Sequence, residues 1–233
     1  MTKKLKVAVL SDGISTGIKI FQRLTLIDGI DAYLCLCNNQ NQNKILYFIR
    51  TVGCIVLRFS VRQKILVVYS FIKGRIFFLC SGLKSEAGMK KIKKECFDIG
   101  CHDAGIIYTK QIISLFDKGI LNSHIGLLPR YRGRCVMEWS IYEKNPTGIT
   151  VFYMDEGIDT GREIVVREEV SVKDCHSIDE AKTRLFSLAP EFYAKAVINE
   201  LAEVPHLIND GSGPRFYVMS NKLKKEVNKY FVE

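Results

Sequence analysis

Short apolar runs alternate along the chain with segments whose apolar residues recur every three to four positions, and polar or glycine-bearing turns separate them. Residues 5–10 read as a strand buried on both faces, followed by a turn over 11–17 and a helix to about Leu26. A second strand falls at 32–37 and a polar loop at 38–43. Residues 44–59 and 63–72 are strongly apolar, and their periodicity fits helix and strand alike. Next come a basic helix at 84–95, a short strand at 104–108, a helix at 110–116 and a strand at 119–124. A Pro/Gly/Arg loop over 125–134 leads to a helix at 136–142, and strands at 148–153 and 163–170 flank a loop over 154–161. Ser177 and Glu180 form a capping-box pattern, opening a helix whose apolar face carries Ala181, Leu185, Leu188 and Phe192. Pro190 is expected to kink or divide that helix, and a basic amphipathic segment closes the chain over 221–232. Alternation of strands and helices predicts an α/β fold, a three-layer sandwich around a mostly parallel twisted sheet.

The 233 residues suit one domain, or one domain with an appendage, and need neither disulfides nor metal to form a core. A formal charge of +9 favours an anionic partner without choosing which. The eight cysteines are scattered with no CxxC spacing, so we expect reduced thiols, no metal site and a cytoplasmic location. Arginines and lysines interrupt the apolar stretch 45–83 too often for a spanning helix. Core packing is the plain expectation there. The alternative is a face that covers the sheet, or lies against a partner or membrane.

Gly13-Ile-Ser15-Thr-Gly17 matches the G-x-S-x-G nucleophile elbow and follows a strand, so a serine hydrolase is one reading. Such a turn is also an anion site, because the first N–H groups of the helix point outward, which makes Ser11, Asp12 and Gly13 candidate substrate contacts. Asn122 and His124 alternate at the end of a strand, so both side chains leave one face, next to a Gly/Pro/Arg loop. At the carboxyl edge of a parallel sheet that face opens into a ligand crevice. The two glycines of 154–161 allow a sharp loop that returns Asp159 over the histidine.

Asn122-x-His124, Leu127-Leu-Pro129 with Tyr131-Arg-Gly133, Gly148-Ile-Thr-Val151 and Asp155-x-Gly157-x-Asp159-x-Gly161 together resemble the folate-dependent formyltransferases. That family includes methionyl-tRNA, glycinamide ribonucleotide and nucleotide-sugar enzymes. The resemblance implies a Rossmann-like formyltransferase fold, with a catalytic domain at 1–175 and a helical segment at 176–233 completing or extending it. It further implies 10-formyltetrahydrofolate as formyl donor and Asn122, His124 and Asp159 as the catalytic trio. The pterin is expected at Ile107, Tyr108, Asp155, Glu156 and Gly157.

The run Tyr131-Arg132-Gly133-Arg134 followed by Trp139 is closer to the nucleotide-amino-sugar enzymes, with Arg132 and Arg134, on a loop, as pyrophosphate contacts. Glycinamide ribonucleotide or another small amine is the alternative acceptor. Only some sixty residues follow Val170, so a tRNA or other nucleic-acid acceptor is not expected. The partner is then a small molecule, and a homodimer is compatible with the chain.

Overall fold

The computed structural model describes residues 4–39 and 42–231. The predicted loop at 38–43 and the closing segment therefore each lie partly outside the described residues. Contacts divide the chain into two compact units, 1–121 and 122–233.

The first unit runs β1 (Leu5–Ser11), α1 (Ile14–Thr25), β2 (Ile30–Cys37), α2 (Lys44–Arg58), α3 (Val61–Ile72), β3 (Ile76–Leu79), α4 (Glu86–Glu95), β4 (Ile99–Asp103), α5 (Lys110–Ile113) and the start of β5 (Gly119–His124). These strands pair in parallel in the order β3-β2-β1-β4-β5. Val7 to Leu10 and Leu34 to Leu36 are fully buried, which is why these strands read as continuous apolar runs rather than alternating ones. Gly17 lets α1 lie directly on β1: a Cβ there would sit 2.6 Å from Ser11 Cβ. Glycine in the G-x-S-x-G pattern thus answers to packing. The side chain of Ser15 lies outside the described residues.

The second unit continues with β6 (Arg132–Gly133), α6 (Val136–Tyr142), β7 (Gly148–Tyr153), β8 (Glu163–Glu169), α7 (Ile178–Ser187), α8 (Ala189–Leu201), β9 (Leu207–Ile208), β10 (Arg215–Phe216) and α9 (Asn221–Lys229). Here β7, β8 and β9 pair antiparallel, while β6 and β10 form a separate parallel pair. The class is α/β with a mostly parallel sheet, as expected. Pro190 divides the predicted helix by standing in the first turn of α8, where its missing N–H leaves no intrahelical bond unmade. Ser177 caps α7 by accepting from Glu180 N–H, but the returning Glu180 carboxylate takes the N–H of His176 instead of Ser177.

Three expectations need correction. The strand expected at 104–108 lies at Ile99–Asp103, where Gly100 packs against Phe116 and Ile120 with no room for a larger side chain. Residues 44–72 do not fill the core: only Tyr47, Thr51, Val67 and Ser70 are buried within α2 and α3. They meet the sheet at β3, where Tyr47, Phe48 and Phe71 pack around Phe78. Arg132 belongs to a short strand rather than to an irregular loop, because Arg132 and Gly133 stand in register with Arg215 and Phe216 of β10 and Arg134 N–H donates to the Phe216 carbonyl.

Asp103 gives the first unit a measurable pH response. Burial and the neighbouring Asp12 charge push its carboxyl up to about 6, against a hydrogen bond from Ser11 Oγ at 2.5 Å that favours the charged form. A carboxyl raised above its unfolded value keeps its proton longer in the folded state. It therefore supports stability below about pH 4 and loses that support as pH rises through about 6. Asp103→Asn is expected to raise stability at pH 7.5 by up to about 3 kcal/mol and to change little at pH 4. Urea midpoints at the two pH values check it; equal shifts at both would refute the assignment.

Candidate active site

Asn122 and His124 end β5 two residues apart, so both side chains project from one face. Both line a cavity of about 470 Å³ whose walls include Arg134, Glu138, Lys182 and Phe186. Larger cavities of about 710 Å³ beside Pro146 and about 720 Å³ beside Lys93 contain no comparable set of side chains.

His124 is 8% exposed and its two ring nitrogens have separate partners. Nε2 lies 2.8 Å from the carbonyl oxygen of Tyr131, an acceptor only, so this nitrogen carries hydrogen and donates. Nδ1 faces Asp159 Oδ2 at 3.7 Å and is the nitrogen left to take up a proton. With Nε2–H committed to Tyr131, the Asn122 amide is the donor beside the histidine on the cavity wall, where Arg134 and Lys182 are further donors. Gly126 makes the His124 arrangement possible: a Cβ there would sit 2.7 Å from both Nε2 and the Tyr131 oxygen.

Asp159 adopts a left-handed φ of 53°, a conformation costing roughly 1–2 kcal/mol for a residue bearing a side chain. Three contacts hold it. Gly133 N–H donates to Asp159 Oδ2 at 2.9 Å, and Asn209 Nδ2 donates to the carbonyls of Asp159 and Gly161 at 3.3 and 2.9 Å. The loop before Asp159 is folded by its own side chains: Asp155 Oδ1 accepts from Gly157 N–H and from Thr160 Oγ1. That carboxylate is engaged within the loop, whereas Glu156 and Gly157 are exposed.

The Leu-Leu-Pro loop is locked by buried Thr150, which donates to Gly126 O at 2.6 Å and accepts from Leu128 N–H at 3.1 Å. Arg167 reaches the Leu128 carbonyl from β8, and the Leu128–Pro129 bond is cis. Arg134 is exposed at the cavity. Arg132 is half-buried, and its Nε has no hydrogen-bond partner among the described residues.

The remaining candidates lie in the first unit. Ser11 is buried, bonded to Gly13 O and Asp103. Asp12 accepts from Asn39 Nδ2 at 2.6 Å and Gly105 N–H at 2.7 Å. These bonds tie the ends of β1 and β4 together. Tyr108 is buried with its hydroxyl 3.0 Å from His102 Nδ1, and burial raises its pKa well above the ordinary phenol value. Ile107 is 73% exposed.

Sequence reasoning missed Glu138 and Asn209. Glu138 is wholly buried on α6 at the cavity wall; Lys182 Nζ approaches Oε1 at 2.5 Å, yet neither oxygen accepts a hydrogen bond of ordinary geometry. Its signal was present, a single carboxylate inside the otherwise apolar run Val136-Met-Glu-Trp-Ser-Ile141. Asn209 carried no comparable signal.

Asn122 and His124 thus line one cavity, and the Asp159 carboxylate faces the histidine ring. Residues 89–197 match the family model described as formyl transferase. That stretch, a little under half of the chain, is what is similar to the formyl transferase family. It is 33% identical over 112 residues to the methionyl-tRNA formyltransferase of Clostridioides difficile strain 630, covering 48% of this chain and 33% of that protein. It is 36% identical over 131 residues to the corresponding enzyme of Methylacidiphilum infernorum, covering 53% and 38%. The matched region thus spans little more than a third of the length of these curated relatives.

Among solved structures, a 4-N formyltransferase from Francisella tularensis superposes with a TM-score of 0.60 at 16% identity, covering 96% of this chain and 86% of that one. A phosphoribosylglycinamide formyltransferase from Anaplasma phagocytophilum gives 0.61 at 18%, covering 90% and 93%. The formyltransferase PseJ from Anoxybacillus kamchatkensis, in complex with UDP-4,6-dideoxy-4-formamido-L-AltNAc and tetrahydrofolate, gives 0.53 at 18%, covering 97% of each chain. At these identities the structures establish the fold.

Proposed function

We propose that this chain transfers a formyl group from 10-formyltetrahydrofolate to a primary amine, the amino group of a nucleotide-linked amino sugar. The observation that carries the reading is Asn122 and His124 side by side on the cavity wall, with His124 held by Tyr131 and faced by Asp159, which Gly133 and Asn209 hold in turn. The donor set fits a formyl donor, because one amide N–H can meet the oxygen on which negative charge develops. The donor supplies an activated formyl carbon bound to nitrogen. Asp155, Glu156 and Gly157, on an exposed loop, are the residues of the second unit that would hold it.

Asn122 stabilises the developing oxyanion, a role worth about 3–4 kcal/mol where such a donor is removed. His124 Nδ1 accepts the proton lost by the attacking amine, Asp159 balances the resulting charge, and the same proton would pass to the donor's nitrogen as its bond to the formyl carbon breaks. The wholly buried Glu138 is paired with Lys182 at the cavity wall, so its charge is already answered there. Arg134, exposed at the same cavity, suits a pyrophosphate through its planar donors. The structurally similar formyltransferase in complex with UDP-4,6-dideoxy-4-formamido-L-AltNAc supports this acceptor.

Tetrahydrofolate release, measured with a nucleotide-linked amino sugar, glycinamide ribonucleotide and methionyl-tRNA as acceptors, tests the reading. Turnover with the first alone is expected. Turnover with either of the others instead would move the acceptor, and none with any amine would remove formyl transfer. Labelling of Ser15 by a fluorophosphonate would favour the hydrolase alternative. Arg134→Lys is expected to raise the acceptor KM about tenfold and the donor KM far less, with the deficit deepening in salt. Equal losses with the free amino sugar would mean that Arg134 supports the loop and nothing more.

A further inference from the structure

Helices α2 and α3 each present two faces. Tyr47 and Thr51 of α2, and Val67 and Ser70 of α3, turn inward. On α2 a second apolar stripe, Ile45, Phe48, Ile49, Val52 and Val56, follows the spacing i, i+3, i+4, i+7, i+11 and lies in solvent, Ile45 at 71% and Val56 at 59% exposure. On α3, Val61, Ile65, Val68 and Ile72 repeat the pattern at i, i+4, i+7, i+11, again exposed, Ile72 at 75%. Leu57 between them is 84% exposed. So large an exposed apolar set is an interaction surface rather than ordinary scatter.

Its charge selects the partner. Lys44, Arg50, Arg58, Arg62, Lys64 and Lys73 accompany the stripes, and no Asp or Glu occurs between Asp31 and Glu86. A second copy of the same face would set cations against cations with no carboxylate to answer them, which disfavours self-association through it. Apolar stripes flanked by lysine and arginine alone match a bilayer surface bearing anionic headgroups, where the side chains enter the acyl boundary and the cations meet phosphate.

We propose that α2 and α3 form a docking face for anionic membrane surfaces. The face is independent of which amine the site formylates. Among the described residues no helix is long and apolar enough to cross a membrane, so docking is peripheral.

The test is co-sedimentation of the full chain with phosphatidylcholine vesicles and with vesicles in which a third of the lipid is phosphatidylglycerol. Binding is expected to the anionic vesicles, and to weaken about tenfold or more between low and high salt. Two variants at exposed positions separate the contributions. Arg50→Glu with Arg58→Glu and Arg62→Glu should abolish selectivity for anionic lipid, and Ile49→Asp with Ile65→Asp should abolish binding, with unchanged melting in both. Equal binding to neutral vesicles, binding indifferent to both variants, or no binding at all overturns the proposal. A dimer in gel filtration that the Ile49→Asp, Ile65→Asp variant dissociates would assign the face to a second copy and overturn it equally.

Discussion

Replacing His124 by alanine is expected to lower turnover by roughly 10²- to 10⁴-fold, the contribution of a positioned acid–base group. The Tyr131 carbonyl and the Asp159 carboxylate both lose the ring they face, so stability should fall by roughly 1–3 kcal/mol without loss of fold. Asp159→Asn separates charge from geometry. Its amide oxygen still accepts from Gly133 N–H, so the loop is retained while the charge opposite Nδ1 is removed. Both variants, and Asn122→Ala, should combine with much less than multiplied effect, because the three side chains act on one event. Single-turnover rates measured beside melting curves check this. Wild-type turnover in folded His124→Ala would remove the mechanism.

The second large effect comes from a residue with no functional group. Gly126→Ala places a methyl 2.7 Å from His124 Nε2 and from the Tyr131 oxygen, and 3.0 Å from Val136 Cγ2. The methyl forces apart the bond that sets the ring's orientation, and a misplacement of about 1 Å is enough to cost on the order of 100-fold in rate. We expect kcat to fall by about that factor in a protein that remains folded, with acceptor and donor KM changed far less. A variant that melts normally and turns over normally would show that the Tyr131 bond does not orient the histidine.

Much of the site was legible because strand geometry is strict. A period of two places Asn122 and His124 on one face wherever the strand sits, and glycines at 157 and 161 announce a loop that can fold back. Gly161 does admit such a fold, since a Cβ there would lie 1.7 Å from the Tyr153 carbonyl. The helices at 44–72 were also readable, though periodicity left them open. Ser60 and Gln63 cap each other reciprocally and Asn43 accepts two N–H groups at the start of α2, both local signals that outrank a uniformly apolar composition.

Strand β3 and the true position of β4 were not readable. Ile76–Leu79 follows an apolar helix without a polar break longer than Lys73–Arg75, and Ile99–Asp103 contains glycine, histidine and aspartate, residues that strands usually avoid. Their placement comes from pairing with β2 and β1, which is information carried by distant segments. Asn209 escaped for the same reason.

The pairing of β6 with β10 ties the site's completion to the order in which the chain is made. Phe216 carbonyl receives the N–H of Arg134, its ring stacks on Tyr131 at 5.4 Å, and Trp139 Nε1 donates to the carbonyl of Tyr217. Asn209 fastens the Asp159 loop from the same stretch of chain. A nascent polypeptide halted at residue 205 would already contain Asn122, His124 and Asp159 but none of these fastenings. The loops at 126–134 and 154–161 therefore wait for their fastenings until residues 209–217 are clear of the ribosome, long after the loops themselves were made.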